Sequence, residues 1–323
     1  MPELPEVETV RRRLAPALEG HRFEHVEIAD PRLTRPHDPF EVARELQGER
    51  VTKVDRRGKY LIVRFESGRV LLIHLRMTGS LRHAAGGELG TGALRDDPHQ
   101  RAVVTLDDGS DVAYRDVRRF GTWLLLEPSE VDIYIDARVG PEPLGDAYKA
   151  KHLAEKLERR RAPIKAAILD QRTVAGVGNI YADEALWRAH VHPLTPANEL
   201  RPDEVKAVHK GIRASLQAGV RRQGSTLRDY RLPDGSSGTA QERFKAYGRA
   251  GLPCERCGTP IDKIRVAGRG TWYCPSCQIY RGPVYRGPVY RGADVGLTES
   301  GRGVSAASSS SSRPSRSRRQ SSV

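Results

Sequence analysis

Long apolar runs are missing from this sequence. The longest, such as Leu61 to Val63 and Val70 to Ile73, fall far short of the ~18 consecutive apolar residues that a bilayer-spanning helix requires. A helical membrane protein is therefore excluded. The N-terminus lacks the apolar stretch of a secretory signal and carries Glu3, Glu6 and Glu8, which an acid-poor transit peptide would not; a cytoplasmic location is expected. Cysteine is scarce: four residues, all between Cys254 and Cys277, leave none for a scattered disulfide framework. Acidic charge is in deficit, with 41 Asp and Glu against 54 Lys and Arg and a net charge of +13, which points to a polyanionic partner. Residues 281–323 hold eight Arg against Asp294 and Glu299 and so account for six of these charges. The rest lie on residues 1–280, so the folded portion is basic in its own right.

What is present divides 323 residues into more than one domain, since compact domains hold about 100–200 residues. Val7, Val10, Leu14 and Leu18 repeat three or four apart and predict an amphipathic helix over 5–18. From about 22 to 127 short β-rich runs take over, at Tyr60 to Phe65, Val70 to Leu75, Ala102 to Leu106 and Trp123 to Leu126, with turns at Glu66-Ser67-Gly68 and Asp107-Asp108-Gly109. This half reads as a β-sandwich, with a mobile loop at 84–100. Beyond the Pro- and Gly-bearing passage Gly140 to Gly145, the spacing of Leu153 and Leu157, Ile164 and Ile168, Tyr181 and Leu186, and Val205 to Leu216 marks four helices, with Pro163 and Pro202 suited to first turns. The fold class is α+β. The expected boundaries are a sandwich domain at 1–135, a linker at 136–148, a helical domain at 149–250, a cysteine module at 251–280 and a disordered basic Ser/Arg-rich tail at 281–323. A Tyr-Arg-Gly-Pro-Val repeat, starting at Tyr280, repeated from Tyr285 and begun again at Tyr290, leads into that tail. The tail reads either as a solvated extension or as an arm adding nonspecific DNA affinity.

Three motifs carry chemistry. Cys254-x2-Cys257 and Cys274-x2-Cys277, with sixteen residues between them, match a four-thiolate zinc site of the closed, structural kind, against the alternative of a redox pair or disulfides. Gly176-Val177-Gly178-Asn179 sits between two helices, where glycines serve either backbone geometry or anion binding at a helix start. Arg56-Arg57-Gly58-Lys59 and Arg118-Arg119-Phe120-Gly121 set cations beside strand ends and an aromatic, which suits a protein that grips a nucleic-acid backbone and wedges a base step. An ordinary charged strand edge reads the same way.

Taken in order, Met1 to Thr9, Arg56 to Leu61, His74 to Gly79, Asp116 to Gly121, Gly176 to Tyr181, Tyr247 to Arg249 and the cysteine knuckles resemble the bacterial formamidopyrimidine-DNA glycosylases over residues 1 to about 280. Leu4 stands where the related endonuclease VIII group usually has Gly, which favours the oxidised-purine branch. The resemblance implies an N-terminal helix on a β-sandwich, a helix–two-turn–helix domain and a zinc finger with one structural Zn2+ on Cys254, Cys257, Cys274 and Cys277. It implies a monomer acting on double-stranded DNA that contains 8-oxoguanine or formamidopyrimidines, with base excision followed by β and δ elimination. Pro2, freed by removal of Met1, is the implied nucleophile. A terminal amine, with a reference pKa of about 7.7–8.0 against ~10.4 for Lys, supplies more of the neutral form at pH ~7. By the same resemblance Glu3 is the acid/base and Lys59 the essential lysine on the lesion's phosphate. The resemblance also implies that Met77, Arg118 and Phe120 fill the space left by the flipped nucleotide, and that Asn179 and Arg269, joined by Lys165 and His74, contact phosphates. Arg76 stands where the family often has a smaller residue.

Overall fold

A computed structural model describes residues 1–84, 97–227 and 230–282. Most of the expected 84–100 loop and the tail beyond Gly282 lie outside the described residues. α1 (Leu4–Leu18) forms where the apolar spacing placed it, and Val7, Val10, Leu14 and Leu18 are buried. Its N-cap is Glu3, whose backbone N–H donates to Glu6 Oε2 at 2.9 Å.

Two antiparallel four-stranded sheets follow. One is ordered β1 (Phe23–Ile28), β6 (Gln100–Leu106), β7 (Asp111–Asp116) and β5 (Gly79–Ala84). The other is ordered β2 (Val51–Arg57), β3 (Tyr60–Phe65), β4 (Val70–His74) and β8 (Thr122–Leu126). Leu61, Val63, Leu71 and Ile73 from one sheet meet Leu81, Val104 and Val112 from the other, and the apolar face of α1 closes this core. The intervening residues Ile62, Val70 and Leu72 are also buried, beneath Val131 and Ile135 of α3 (Pro128–Asp136). Cover on both faces explains why β3 and β4 read as continuous apolar runs rather than alternating ones. Two helices in this half escaped the periodicity, α3 and α2 (Pro39–Leu46). α2 starts at Asp38, whose carboxylate accepts from the N–H groups of Phe40 and Glu41. Asp38-Pro39 is a helix-start signal in its own right.

The helical half contains α4 (Ala150–Leu157), α5 (Ile164–Leu169), α6 (Asn179–Ala189) and α7 (Pro202–Arg221). Pro202 opens α7 from inside its first turn, whereas Pro163 sits one step earlier, as the N-cap of α5. Leu153, Ile168, Leu186, Val208, Ile212 and Leu216 form a core that Leu4, at the head of α1, enters from the other half. In return Tyr230 and Leu232 pack into the sandwich core. A hairpin of β9 (Asp262–Val266) and β10 (Arg269–Tyr273) carries the cysteine module. No helix among the described residues is long and apolar enough to cross a membrane.

Candidate active site and zinc centre

The junction of the two halves is built around Glu3. Its side chain, 2% exposed, reaches across to α6 and accepts from the N–H groups of Gly178 at 2.7 Å, Ile180 at 2.8 Å and Tyr181 at 3.3 Å. The anion at this helix start is thus a carboxylate of the chain itself, stabilised by the donors and the dipole of α6. The two glycines permit the approach. A Cβ on Gly178 would lie 2.4 Å from the Glu3 carboxyl carbon, and one on Gly176, at φ +80°, 2.5 Å from Leu4 Cβ. Backbone geometry and anion binding, open alternatives in the sequence, are one device here. Pro2, next to Glu3, is buried beneath an exposed Met1.

Glu6 is a second buried carboxyl that motif reading passed over. Besides Glu3 N–H, it accepts from Tyr181 Oη at 3.0 Å, Ser225 N–H at 2.7 Å and Ser225 Oγ at 3.0 Å. Burial, then the neighbouring Glu3, pushes its pKa up to about 7. Glu6 thereby ties the N-terminus to α6 and to the segment that follows α7. Its helical spacing from Glu3 on a face otherwise apolar was the available signal.

Lys59 ends the two-residue turn between β2 and β3, where Arg57 pairs with Tyr60. It is 5% exposed. Burial pulls its ammonium down to about 8, Glu3 opposes that shift and Arg269 adds to it, so these groups share one field. The neighbouring basic residues do other work. Arg56 lies between Glu8 at 3.1 Å and Glu142 at 2.8 Å, and Arg57 lies 3.5 Å from Glu142, so the linker residue Glu142 locks the hairpin. His74, on β4, packs edge-on against Tyr60 at 4.8 Å, and its Nδ1 accepts Arg76 N–H at 2.9 Å. Burial, with Arg76 and Lys59 nearby, pulls its pKa down to about 3. The neutral ring with Nδ1 as acceptor carries its proton on Nε2.

Met77, Arg118 and Phe120 stand on two loops of the sandwich. Met77 is 38% and Phe120 51% exposed, and the Arg118 guanidinium lies 4.7 Å from the Phe120 ring centre. Asp116, 1% exposed, organises both loops. One of its oxygens accepts from Thr78 Oγ1 and Arg118 N–H, the other from Phe120 N–H at 2.9 Å and Gly121 N–H at 2.7 Å. Arg119 is turned back onto Asp30 through bonds of 2.6 and 2.7 Å, leaving Arg118 and Phe120 projecting.

At the start of α6 the Asn179 amide donates to Gly270 C=O at 3.0 Å, beside the exposed Arg269 on β10. Lys165 differs from expectation. Its side chain is fully buried, and its ammonium is spent on Asp183 Oδ1 at 2.7 Å, Thr271 Oγ1 at 2.8 Å and Gly270 C=O at 3.0 Å. Fully buried and held by these three groups, the ammonium presents nothing at the surface to a phosphate. Lys165 ties α5 to α6 and to the strand that carries Arg269, and burial lowers its pKa while raising that of Asp183.

The four cysteine sulfurs lie within 4.8 Å of one another, the enclosure that tetrahedral zinc needs at Zn–S distances of ~2.3 Å. Trp187 Nε1 donates to Cys254 Sγ at 3.4 Å, as an outer partner of a thiolate ligand would. The site holds one structural zinc; with four protein ligands it leaves no position open for chemistry.

Family models match the chain in three places: the formamidopyrimidine-DNA glycosylase N-terminal domain at residues 1–123, the H2TH domain of the same glycosylases at 139–231, and the zinc finger found in FPG and IleRS at 251–279. The chain is similar to formamidopyrimidine-DNA glycosylases of Chloroflexus aggregans, 46% identical over 280 residues, and Bacillus subtilis, 42% identical over 280 residues. Each alignment covers 86% of this chain and 99% of the relative. Among solved structures it is similar to the Lactococcus lactis Fpg bound to abasic-site DNA, with a TM-score of 0.79, 38% identity and coverage of 86% of this chain and 100% of that one. It is also similar to MutM (Fpg) from Thermus thermophilus, with a TM-score of 0.75, 42% identity and coverage of 86% and 98%. Three consecutive family models and relatives matched over nearly their whole length place the chain in one family: it belongs to the formamidopyrimidine-DNA glycosylases.

Proposed function

We propose that this protein is a base-excision repair enzyme, a bifunctional DNA glycosylase and abasic-site lyase that removes oxidised purines from double-stranded DNA. The observation that carries the reading is the Glu3 carboxylate, held by three N–H groups of α6 beside Pro2, in a chain of this family. Removal of Met1 frees the Pro2 secondary amine. That amine attacks C1′ of a flipped nucleotide and gives up its proton, the damaged base leaves with a proton, and the nitrogen lone pair then expels O4′, which is protonated as the sugar ring opens, to close an iminium. The iminium acidifies the C2′ proton. Its removal expels the 3′ phosphate, and a second elimination expels the 5′ phosphate. Glu3 shuttles the protons of sugar opening and base departure. Lys59, as the ammonium, holds a lesion phosphate, while His74 donates from neutral Nε2 and Asn179 and Arg269 grip the strand from the α6 start and the finger. Met77 and Phe120 enter the gap, and Arg118 pairs with the orphaned cytosine. Lys165 acts as a positioning residue instead of a phosphate contact. The protein works as a monomer in the bacterial cytoplasm.

Borohydride trapping on an 8-oxoguanine:cytosine duplex tests this directly. A covalent protein–DNA band is expected from the wild type, and it should be lost or sharply reduced with Pro2→Gly and with Glu3→Gln. A duplex with thymine glycol should be cut far more slowly. Binding without an adduct on either the lesion or an abasic duplex would leave a DNA-binding protein without catalysis.

A further inference from the structure

Behind Tyr181, away from the groups assigned to excision, lies a cavity of about 270 Å³ with an unusual lining. It is lined by Arg188 of α6, Arg221 and Arg222 at the end of α7, and Arg243 of the short helical turn Ala240–Arg243, with Arg221 and Arg243 exposed at its mouth. None of these four arginines makes an ion pair among the described residues. The carboxylate that lines the cavity, Glu184, is turned to backbone instead: it accepts from the N–H groups of Lys245, Ala246 and Tyr247 at 2.8 to 3.0 Å. Lys245, at the rim, pairs with Glu255.

Arginines at the end of α7 also favour its dipole, so charge alone assigns no ligand. A second observation does. Ser215, 3% exposed, lines the same cavity with its hydroxyl unpartnered, and so does Arg188, whose Nε is buried and unpartnered. An oxyanion with several acceptor lone pairs answers both and neutralises the arginine cluster, in the forked geometry that guanidinium groups offer phosphate.

We propose that this cavity is a phosphate-binding site, distinct from the excision cleft, supplied either by a backbone phosphate of bound duplex or by free inorganic phosphate or pyrophosphate. The test uses the full chain. Pyrophosphate binding is measured by titration calorimetry, and affinity for an undamaged duplex is measured against salt concentration. Both are run for wild type, Ser215→Ala, Arg222→Gln/Arg243→Gln and a charge-matched control, Arg159→Gln/Arg161→Gln. If the ligand is a free ion, the cavity double variant loses pyrophosphate affinity by about tenfold or more and Ser215→Ala, which keeps the charge, loses part of it. If the ligand is a strand phosphate, the logarithmic salt slope of duplex binding falls by about 1 to 2 in the cavity variant and by less in the control. Arg222→Lys/Arg243→Lys replaces the double variant if that one is unstable, and a partial loss is expected. The site is overturned if wild type binds no pyrophosphate and the cavity and control variants change the salt slope equally. It is overturned as well if Ser215→Ala and the cavity variant both behave as wild type. Excision of 8-oxoguanine is followed alongside, so failure of the site is not mistaken for failure of the repair reading.

Discussion

Glu3 departs from ordinary helix capping. As N-cap of α1 its carboxylate would serve its own helix; instead it spans to α6, and Gly178 gives it room. Gly178→Ala should therefore leave the fold intact by circular dichroism yet slow excision by about a hundredfold, the scale of an ångström-sized misplacement of a reacting group. Lys59 offers a pH test. Burial holds its ammonium at about 8. Contact with phosphate requires the charged form, which is present below that value and lost above it. Affinity for an abasic-analogue duplex should fall by up to about tenfold per pH unit above 8, whereas Lys59→Arg should remain flat between pH ~7 and ~9. A flat wild-type profile would remove Lys59 from the phosphate. His74, pulled down to about 3, should add no limb to the profile near its ordinary value.

The loop from β4 to β5 and the loop from β7 to β8 are held as a pair through Asp116 and Thr78. Both contain an arginine in left-handed backbone, Arg76 at φ +51° and Arg119 at φ +58°. Arg119 is anchored by Asp30. Arg76 instead has an exposed side chain, and among the described residues its one hydrogen bond is that of its backbone N–H to His74. A non-glycine residue there costs roughly 1–2 kcal/mol, and glycine returns part of that relief through its looser unfolded chain. Arg76→Gly should thus stabilise the protein by about 0.5–1 kcal/mol in urea unfolding, with DNA binding preserved. Destabilisation would mean that the Arg76 side chain makes contacts worth more than the backbone strain.

Across the molecule, α6 is the shared beam. Its first turn holds Glu3, Asp183 holds Lys165 and Trp272 N–H, Glu184 holds the 245–247 backbone, and Trp187 meets Cys254 at its far end. The zinc module has two small clusters, Ala246, Cys254, Ile261 and Cys274 with Trp187, and Ile264, Val266 and Tyr273 with Leu194, so little apolar burial that the metal should carry much of its stability. Chelation of zinc should abolish hydrogen-exchange protection over 262–273 and weaken DNA binding, while amides of β3 and β4 stay protected. Equal loss in both regions would show that the finger supports the whole fold.

Much of this was readable from the order of residues. Periodicity located α1 and the four helices of the second half, because apolar residues three and four apart fall on one helical face whatever that face packs against. The CxxC pair announced its metal because zinc ligation depends on local knuckle geometry. Other features depended on partners distant in the chain. Nothing in Lys165 itself says that Asp183 and Thr271 will consume its donors, and the basic run at 56–59 does not say that Glu142 will claim Arg56 and Arg57 but leave Lys59. α3 was hidden because its apolar face is two residues, Val131 and Ile135, that matter only once the outer face of a sheet lies beneath them. Helical stripes, turn residues and metal knuckles are set by neighbours a few positions away, so sequence suffices for them. Which charges are spent and which remain free is set by desolvation and by partners brought together from a hundred residues apart, and folding alone assigns those.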